Sequence, residues 1–388
     1  MTKHSILFVC ASVKVGGAEK SLVNLLNMID YDKYNVSLLL LQKQGALMEH
    51  IPANVTMVDL PDRAKALYDD VNFSLSNLSM KAIKYISTGL EHIKYKEYDV
   101  LRAHRWKDYY QKKCESLRTK YDTVVAFQSG ESTYYAFDKI KADRYVTFFH
   151  TDIKNIKIAK EIEKEYLKKA DLIATISPKC VESICNVFPE FSKKTVCLEN
   201  PSSAALIKKM AGDVAPEEYR KKEAFIIVSV GRLIDIKGYD MVVDACSILK
   251  NGGLSFHWYI VGEGNERKKL EKQIKEKDIA DCVHLIGLRM NPYPYMKFAN
   301  LLVQSSRYEG KSMVLDEAKI LGKQILVTNY NSAKDQITDG VDGHICEMSA
   351  YGIAEGVKKA IQQPIAYALN CTDKNVDHYM QVLTGECV

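Results

Sequence analysis

The sequence predicts an α/β protein composed of two Rossmann-like domains with mainly parallel sheets. Strand-like apolar runs alternate with helical patterns along most of the 388 residues, and this alternation is typical of parallel sheets. The length and a hydrophobic content of 47% are sufficient for two domains, each with its own core. A polar stretch near the middle of the chain, within residues 201–222, separates the two halves.

Seven candidate strands lie in the first half, with helical patterns between most of them. They are Ser5–Ala11, Asn35–Leu41, Val55–Leu60, Asp122–Phe127, Arg144–His150, Asp171–Ile176 and Thr195–Leu198. We predict an N-terminal domain at residues 1–200, a linker at 201–222 and a C-terminal domain at 223–365, whose sheet starts at Phe225. Residues 366–388 contain no clear strand.

The pattern of apolar residues and cysteines predicts a cytoplasmic protein. No apolar run reaches the roughly 18 residues of a membrane span, and residues 1–12 lead directly into a strand rather than forming a signal peptide. The ten cysteines show neither a CxxC motif nor the spacing of metal ligands, which fits a reducing compartment. We expect neither a metal ion nor a cofactor.

Two glutamates separated by seven residues, Glu309 and Glu317, are the most informative feature of the second half. An apolar run precedes them at residues 300–306, and residues 312–321 have helical spacing that ends at Gly322. Glu309 is therefore expected in a strand-to-helix turn, and Glu317 inside the helix.

A helix that begins after this turn should bind an anion. We expect the backbone N–H groups of Ser312, Met313 and Val314 to be unpaired at the helix N-terminus, where they can bind a phosphate. The carboxylates are acceptors, so they suit the hydroxyls of a ribose or a hexose. An ordinary surface acid in a helical turn remains an alternative for Glu317.

Two cations follow the first apolar strand of the second half, Arg232 and Lys237. Their spacing suits a diphosphate, because Arg offers a planar fork and Lys a point charge. A second strand ends at Gly262 and Gly264, which resembles a dinucleotide-binding turn. However, Arg267 occupies the third glycine position and no acid follows at the expected distance, so NAD binding is disfavoured.

Together these turns resemble the C-terminal domain of the retaining glycosyltransferases of family four, which have the GT-B fold. The resemblance rests on an ordered series: Gly231-Arg232 with Lys237-Gly238, Val261-Gly262-Glu263-Gly264, His284 with Gly287, and Glu309 with Glu317. It covers residues 225–345 closely. It implies two domains that face each other across a cleft, and a last helix that crosses back to the first domain.

The resemblance also implies a role for each matching residue. Arg232 and Lys237 hold the diphosphate of a sugar nucleotide, Glu309 contacts the donor sugar and acts as a catalytic residue, and Glu317 binds the ribose. Lys311 departs from the family pattern, which has an apolar or aromatic residue more often at this position; it contacts a phosphate or an acidic sugar, or faces solvent.

Further candidate site residues lie in three other turns. Leu288 and Arg289, after the glycine turn of the third strand, are assigned to donor binding. Gly16 and Gly17 form either a tight βα turn or, as the resemblance implies, a loop that faces the donor diphosphate. His150 stands at the carboxyl end of a predicted strand, where α/β sheets bind ligands, and is the second catalytic candidate.

These residues indicate how a leaving diphosphate would be stabilised. Arg232, Lys237 and the helix N-terminus at Ser312 supply positive charge without a metal ion. The retaining course, with attack on the face from which the diphosphate leaves, is implied by the resemblance alone. A glycosidase that uses Glu309 and Glu317 as a carboxylate pair is the rival reading, but it explains none of the phosphate-binding features.

Residues 81–120 are the strongest candidate for a partner surface. They contain eleven Lys or Arg against five acids, with Trp106 and several tyrosines interleaved. Such a stretch either docks on anionic lipid headgroups or is a solvated helical face. No recognised nucleic-acid motif accompanies it, so nucleic acid is not expected as a partner.

The sequence therefore predicts a hexosyltransferase that is cytoplasmic or peripheral on the inner face of the plasma membrane. Its donor would be a nucleotide-diphosphate sugar, with a UDP-sugar favoured. Its acceptor would be a glycan or a polyprenyl- or lipid-linked molecule. The resemblance implies a bacterial polysaccharide or glycolipid pathway. A sugar-nucleotide epimerase on the same scaffold and a non-catalytic sugar-nucleotide-binding protein remain alternatives.

Overall fold

A computed structural model of the chain shows two compact units, each built on one parallel sheet. The structure describes residues 3–14, 16–68, 78–219, 224–365 and 376–386. The first unit comprises Met1–Pro201 together with Asn375–Val388, and the second comprises Ser202–Lys374. The α/β class with two Rossmann-like parallel sheets is confirmed.

The first sheet has seven strands, and each of the seven predicted strands is present with slightly different ends. They are β1 (His4–Cys10), β2 (Tyr34–Leu40), β3 (Thr56–Val58), β4 (Lys120–Ala126), β5 (Lys141–Phe149), β6 (Leu172–Thr175) and β7 (Thr195–Cys197). Their order in the sheet is β3-β2-β1-β4-β5-β6-β7. The order therefore reverses between β1 and β4.

The second sheet has six strands in the order β10-β9-β8-β11-β12-β13. They are β8 (Phe225–Val230), β9 (Phe256–Val261), β10 (Val283–Gly287), β11 (Leu301–Gln304), β12 (Gln324–Thr328) and β13 (His344–Cys346). The last two were not predicted, although an apolar run after Gly322 marks β12. This order reverses between β8 and β11.

Helices connect the strands and cover both faces of each sheet. In chain order they are α1 (Gly17–Leu26), α2 (Asp62–Tyr68), α3 (Leu78–Lys94), α4 (Tyr98–Arg105), α5 (Glu131–Lys139), α6 (Lys160–Lys169), α7 (Pro178–Val187), α8 (Ala204–Ala211), α9 (Tyr239–Asn251), α10 (Arg267–Glu276), α11 (Tyr293–Phe298), α12 (Met313–Ile320), α13 (Ala333–Gln336), α14 (Ala350–Gln362) and α15 (Val376–Thr384). No helix among the described residues is long and apolar enough to span a bilayer.

Strand β1 shows why both faces are covered. Its alternate side chains enter two separate cores: Ile6 and Phe8 pack in one, and Leu7 and Val9 in the other. Buried on both faces, such a strand is apolar throughout, as central strands of parallel sheets are.

Helix α15 belongs to the core that contains Phe8. Tyr379, Met380 and Leu383 are buried in it, and the Arg144 side chain donates a hydrogen bond to the Leu383 carbonyl oxygen at 2.9 Å. The last described helix is therefore part of the first unit.

Residues 201–222 were expected to be a linker, but part of this stretch packs into the second unit. Residues 204–211 form α8, whose Ile207 and Ala211 are buried in a core of the second unit, and Tyr219 packs in the same core. The polar composition of residues 212–218 obscured this helix. Residues 220–223 lie outside the described part of the chain.

Candidate active site

The candidate site in the second unit lies where the strand order reverses. Strand β8 pairs with β9 on one side and β11 on the other, so the connections that follow β8 and β11 leave in opposite directions. Ligands of open parallel sheets bind beyond the carboxyl ends of the strands at such a point. Arg232 and Lys237 follow β8, and Glu309 follows β11.

An ion pair joins these two connections. The Lys237 Nζ atom lies 2.5 Å from Glu309 Oε1, and the two side chains are only 19% and 14% exposed. The Ser306 hydroxyl donates to the same carboxylate oxygen at 2.6 Å. Burial, and secondarily the charge of Glu309, raises the pKa of Tyr239 and that of Tyr330. The carboxylate is thus held in a defined position between buried groups.

Two glycines, Gly238 and Gly262, allow the backbone segments around the Lys237–Glu309 pair to approach each other closely. Gly238 has a φ of +66°, and a Cβ there would lie 2.3 Å from the Ser305 carbonyl oxygen. The Ser305 hydroxyl donates to the Lys237 carbonyl oxygen at 2.8 Å. A Cβ at Gly262 would lie 1.8 Å from the Gly231 carbonyl oxygen. These glycines therefore serve close approach of backbone to backbone.

The other candidate residues of the second unit, Arg232, Leu288 and Arg289, do not contact the Lys237–Glu309 pair through any ion pair or hydrogen bond described for them. Arg232 is exposed, and Leu288 is 49% exposed. Arg289 donates to Glu218 Oε1 at 3.0 Å and to the Tyr295 hydroxyl at 2.9 Å. Glu218 comes from the stretch expected to be a linker, so the sequence did not indicate this ion pair.

The N-terminus of α12 corrects one expectation. The Ser312 N–H was expected to be unpaired, but it donates to Gln336 Oε1 at 2.8 Å, and Gln336 Nε2 donates back to the Ser312 carbonyl oxygen at 2.8 Å. The Ser312 hydroxyl donates to Gln304. Only Met313 and Val314 of the predicted trio stand in the first turn, where N–H groups have no intrahelical partner.

Glu317 lies in the second turn of α12 and is fully buried. The Tyr293 hydroxyl donates to its Oε1 atom at 3.0 Å. Burial, and next the nearby Glu317 carboxylate, raises the pKa of Tyr293 well above its ordinary value. A carboxylate that accepts ribose hydroxyls must be reached by them, so binding there requires the surrounding side chains to move.

A second switch point, between β1 and β4, holds the glycine turn of the first unit. Gly16 precedes α1, which starts at Gly17, and a Cβ at Gly16 would lie 2.3 Å from Glu19 Oε2. Gln128 donates to Glu19 Oε1 at 3.0 Å and accepts from the Ala11 N–H at 3.1 Å. The Glu19 carboxylate thus lines the turn, and Gln128, which follows β4, ties this carboxylate to the end of β1.

His150 follows β5 in the same sheet. Its ring stacks on Phe148, with centroids 5.3 Å apart, and its Nδ1 atom lies 3.1 Å from Asn200 Oδ1. Because an amide oxygen only accepts, Nδ1 carries the proton of the neutral ring and Nε2 is an acceptor. Nε2 is buried and has no hydrogen-bond partner among the described residues. It can accept a hydroxyl group of a ligand.

Burial holds His150 neutral. It lowers the pKa of His150 to about 4, and the nearby Phe127 backbone and the Asn200 side chain oppose this shift only in part. The sequence did not indicate Asn200 or Gln128 as site residues, since neither stands in a recognisable motif.

The second half of the chain is similar to known glycosyltransferases. Residues 213–375 match the family described as Glycosyl transferases group 1. The expected resemblance to glycosyltransferases with the GT-B fold is confirmed.

Two curated relatives illustrate the similarity. An uncharacterized glycosyltransferase of Methanocaldococcus jannaschii is 24% identical over 45% of this chain and 43% of its own length. The N-acetylgalactosamine-N,N'-diacetylbacillosaminyl-diphospho-undecaprenol 4-alpha-N-acetylgalactosaminyltransferase of Campylobacter jejuni is 30% identical over 50% of this chain and 52% of its own. The chain spans about half the length of the curated relatives it matches.

A solved structure covers nearly the whole chain. Anabaena HepE in complex with UDP and glucose superimposes with a TM-score of 0.65 at 15% identity, covering 98% of this chain and 97% of HepE. At this identity the similarity establishes the fold.

We predict that His150 makes the stability of the protein depend on pH. Its folded pKa is depressed, so between about pH 6.5 and pH 4 the unfolded chain binds more protons and stability falls with falling pH. In His150→Gln this component is absent. The free energy of unfolding of the variant, relative to the parent, should rise by about 1–3 kcal/mol from pH 7 to pH 4.

Urea unfolding of both proteins across this pH range measures the difference. His92→Gln, on the exposed side of α3, is the matched control. An offset between His150→Gln and the parent that stayed constant with pH would show that the folded chain protonates His150 as easily as the unfolded chain does.

Proposed function

We propose that the chain is a retaining glycosyltransferase that moves a hexosyl group from a UDP-sugar to a glycan or lipid-linked acceptor in surface polysaccharide or glycolipid synthesis. The observation that carries the proposal is the Lys237–Glu309 pair at the switch point of the second sheet. It puts a cation for a diphosphate and an acceptor for sugar hydroxyls side by side. The match of residues 213–375 to the glycosyltransferase family supports the reaction class.

In the proposed reaction the protein stabilises the charge that grows on the leaving diphosphate. Arg232, Lys237 and the N–H groups of Met313 and Val314 supply that stabilisation, and the departing phosphate accepts the proton of the attacking hydroxyl. Because Lys237 and the helix N–H groups are held by the fold, they need little reorganisation during the reaction. We propose that no metal ion is required.

The donor sugar and the nucleoside would contact different glutamates. Glu309, beside Lys237, accepts hydroxyls of the transferred sugar, and His150 offers Nε2 to another hydroxyl of the donor. Glu317 binds the ribose. Leu288 and Arg289 lie beyond β10 and contact the nucleotide, and Gly16 and Gly17 approach the diphosphate.

Relatives and charge support the proposed acceptor and location. The Campylobacter jejuni relative is named for a diphospho-undecaprenol acceptor, which favours a lipid-linked acceptor for this chain as well. HepE is described with UDP and glucose, which favours a UDP-sugar. We propose a cytoplasmic protein that is peripheral on the inner face of the plasma membrane, with residues 81–120 facing anionic lipid.

If Arg232 and Lys237 bind the diphosphate together, as a phosphate clamp, their removal should lower the affinity for UDP. Arg232→Ala and Lys237→Ala should each weaken UDP binding by about 1.5–3 kcal/mol, because each removes a charge-assisted hydrogen bond. Lys237→Ala should also reduce turnover at saturating donor, since it leaves the carboxylate of Glu309 without its cation. Calorimetry with UDP and a turnover assay separate the two effects.

Lys268→Ala, which removes an exposed lysine of α10, is the control for a simple loss of charge. Unchanged UDP affinity in both Arg232→Ala and Lys237→Ala would refute the clamp.

Turnover should survive removal of divalent cations. Release of UDP from the donor in the presence of acceptor should be the same before and after treatment with EDTA, because side-chain cations and helix N–H groups balance the leaving charge. Loss of activity that Mg²⁺ or Mn²⁺ restores would contradict metal independence.

The two glutamates should differ in what they control. Glu309→Gln should reduce turnover at least about 100-fold while UDP affinity stays nearly unchanged, because this residue meets the sugar. Glu317→Gln should weaken UDP binding itself. Both are measured by calorimetry with UDP and by turnover.

Tyr293→Phe is the control for Glu317, since it deletes the buried hydrogen bond but keeps the carboxylate. If Tyr293→Phe and Glu317→Gln lowered UDP affinity equally, or if Glu309→Gln lowered it as much as Glu317→Gln, the assigned roles would be wrong.

A further inference from the structure

Helix α3 in the first unit packs Met80 and Ile83 against the core, but it also buries polar side chains on its inner face and exposes large apolar ones on its outer face. On its inner face Ser87 and Glu91 are fully buried and Lys81 is 8% exposed. The large apolar side chains of the outer face are exposed: Tyr85 by 68%, Ile86 by 61%, Leu90 by 44% and Ile93 by 85%. Their spacing places them on one stripe of the helix. A helix covered by water alone normally shows the opposite arrangement.

The inner polar face is anchored, so α3 cannot simply turn over to hide the stripe. The Arg105 side chain donates to the Thr88 hydroxyl at 3.1 Å and to Glu131 at 2.7 Å. Glu131 is itself buried. Rotating the helix would remove a hydrogen-bond partner from a buried arginine, which is costly.

We propose that the outer stripe of α3 (Tyr85, Ile86, Leu90 and Ile93) inserts into the interfacial region of a lipid bilayer. The proposal rests on the membrane partner suggested above and changes how that partner is bound. Apolar and aromatic side chains along one face of a helix, with cations beside them, are the features of a helix that lies in the membrane surface.

The charges around the stripe fit an anionic bilayer. Glu91 is the only acid in α3, and it is buried. Lys94 and Lys96, at the C-terminal end of the helix, are exposed, and Lys94 lies 3.3 Å from Glu91 Oε1. With Lys81 and Lys84, α3 carries three lysines against one acid, and anionic lipid attracts a helix of this charge.

The other features of the basic stretch do not account for attachment by themselves. Ion pairs take up several of its cations: Arg102 and Arg105 pair with Glu131, Lys107 with Glu165, and Lys120 with Asp143. A second copy of the chain is a poor occupant too. The stripe offers on the order of a few hundred Å², whereas a stable dimer buries about 800 Å² per partner.

Tryptophan fluorescence tests insertion directly in the full chain. The two native tryptophans, Trp106 and Trp258, are fully buried, so a tryptophan placed on the surface reports its own surroundings. With vesicles of phosphatidylcholine and phosphatidylglycerol at about 3:1, Tyr85→Trp should shift its emission to shorter wavelength. Tyr351→Trp, a control that is 65% exposed in the second unit, should not shift.

Sedimentation with the same vesicles, and with phosphatidylcholine alone, tests what the stripe contributes. The double variant Ile86→Glu/Ile93→Glu should bind both kinds of vesicle at least about tenfold more weakly than the parent, because charged groups resist insertion. The exposed control pair Val214→Glu/Val341→Glu should bind as the parent does. UDP affinity, the melting temperature without vesicles and the molecular size should not change.

Three results would overturn the proposal. If the parent protein bound neither type of vesicle, a membrane would be excluded as the partner of the stripe. Binding to anionic vesicles that the double variant keeps would assign attachment to the basic stretch alone. A fall of several degrees in melting temperature, or a change in molecular size, would show that protein covers the stripe. None of these results bears on UDP affinity, so the donor site is judged separately.

Discussion

The ion pair between Lys237 and Glu309 is the interaction on which the geometry of the candidate site depends. At the point where the strand order reverses, the connections after β8 and β11 diverge, and the Arg307 N–H of one donates to the Ile236 carbonyl oxygen of the other at 2.8 Å. A partly buried salt bridge spans the gap, supported by Ser306 and by the Ser305 hydroxyl on the Lys237 carbonyl. Removing either charge would leave the other in a poorly solvated place, which is far more costly than losing a surface pair.

Local signals in the sequence were sufficient to locate most of this site. Apolar runs and glycines are adjacent in sequence to the elements they specify, so the strands of the first sheet and the positions of Arg232, Lys237 and Glu309 after strand ends could be predicted. Hydrogen bonds between distant residues could not. Gln336 lies 24 positions from Ser312, whose N–H it occupies. Asn200 lies 50 positions from His150, whose tautomer it sets.

Counting charges along a segment conceals which side of a helix they occupy. Residues 81–120 have a strongly basic composition, yet in α3 four large apolar side chains are exposed and two polar residues are fully buried. Placing the residues at helical spacing, about 3.6 per turn, would have separated the two faces of α3. The linker expectation went wrong for a related reason, because polar residues after Gly212 masked the apolar positions of α8.

Helix α15 makes the first unit discontinuous in sequence. Its side chains complete a core that β1 begins, so the residues between Ser202 and Lys374 form an insertion within the first unit in terms of connectivity. The first unit therefore cannot complete its core until α15 has been synthesised. Loss of α15 would damage the N-terminal half of the protein rather than the second unit, which immediately precedes this helix in the sequence.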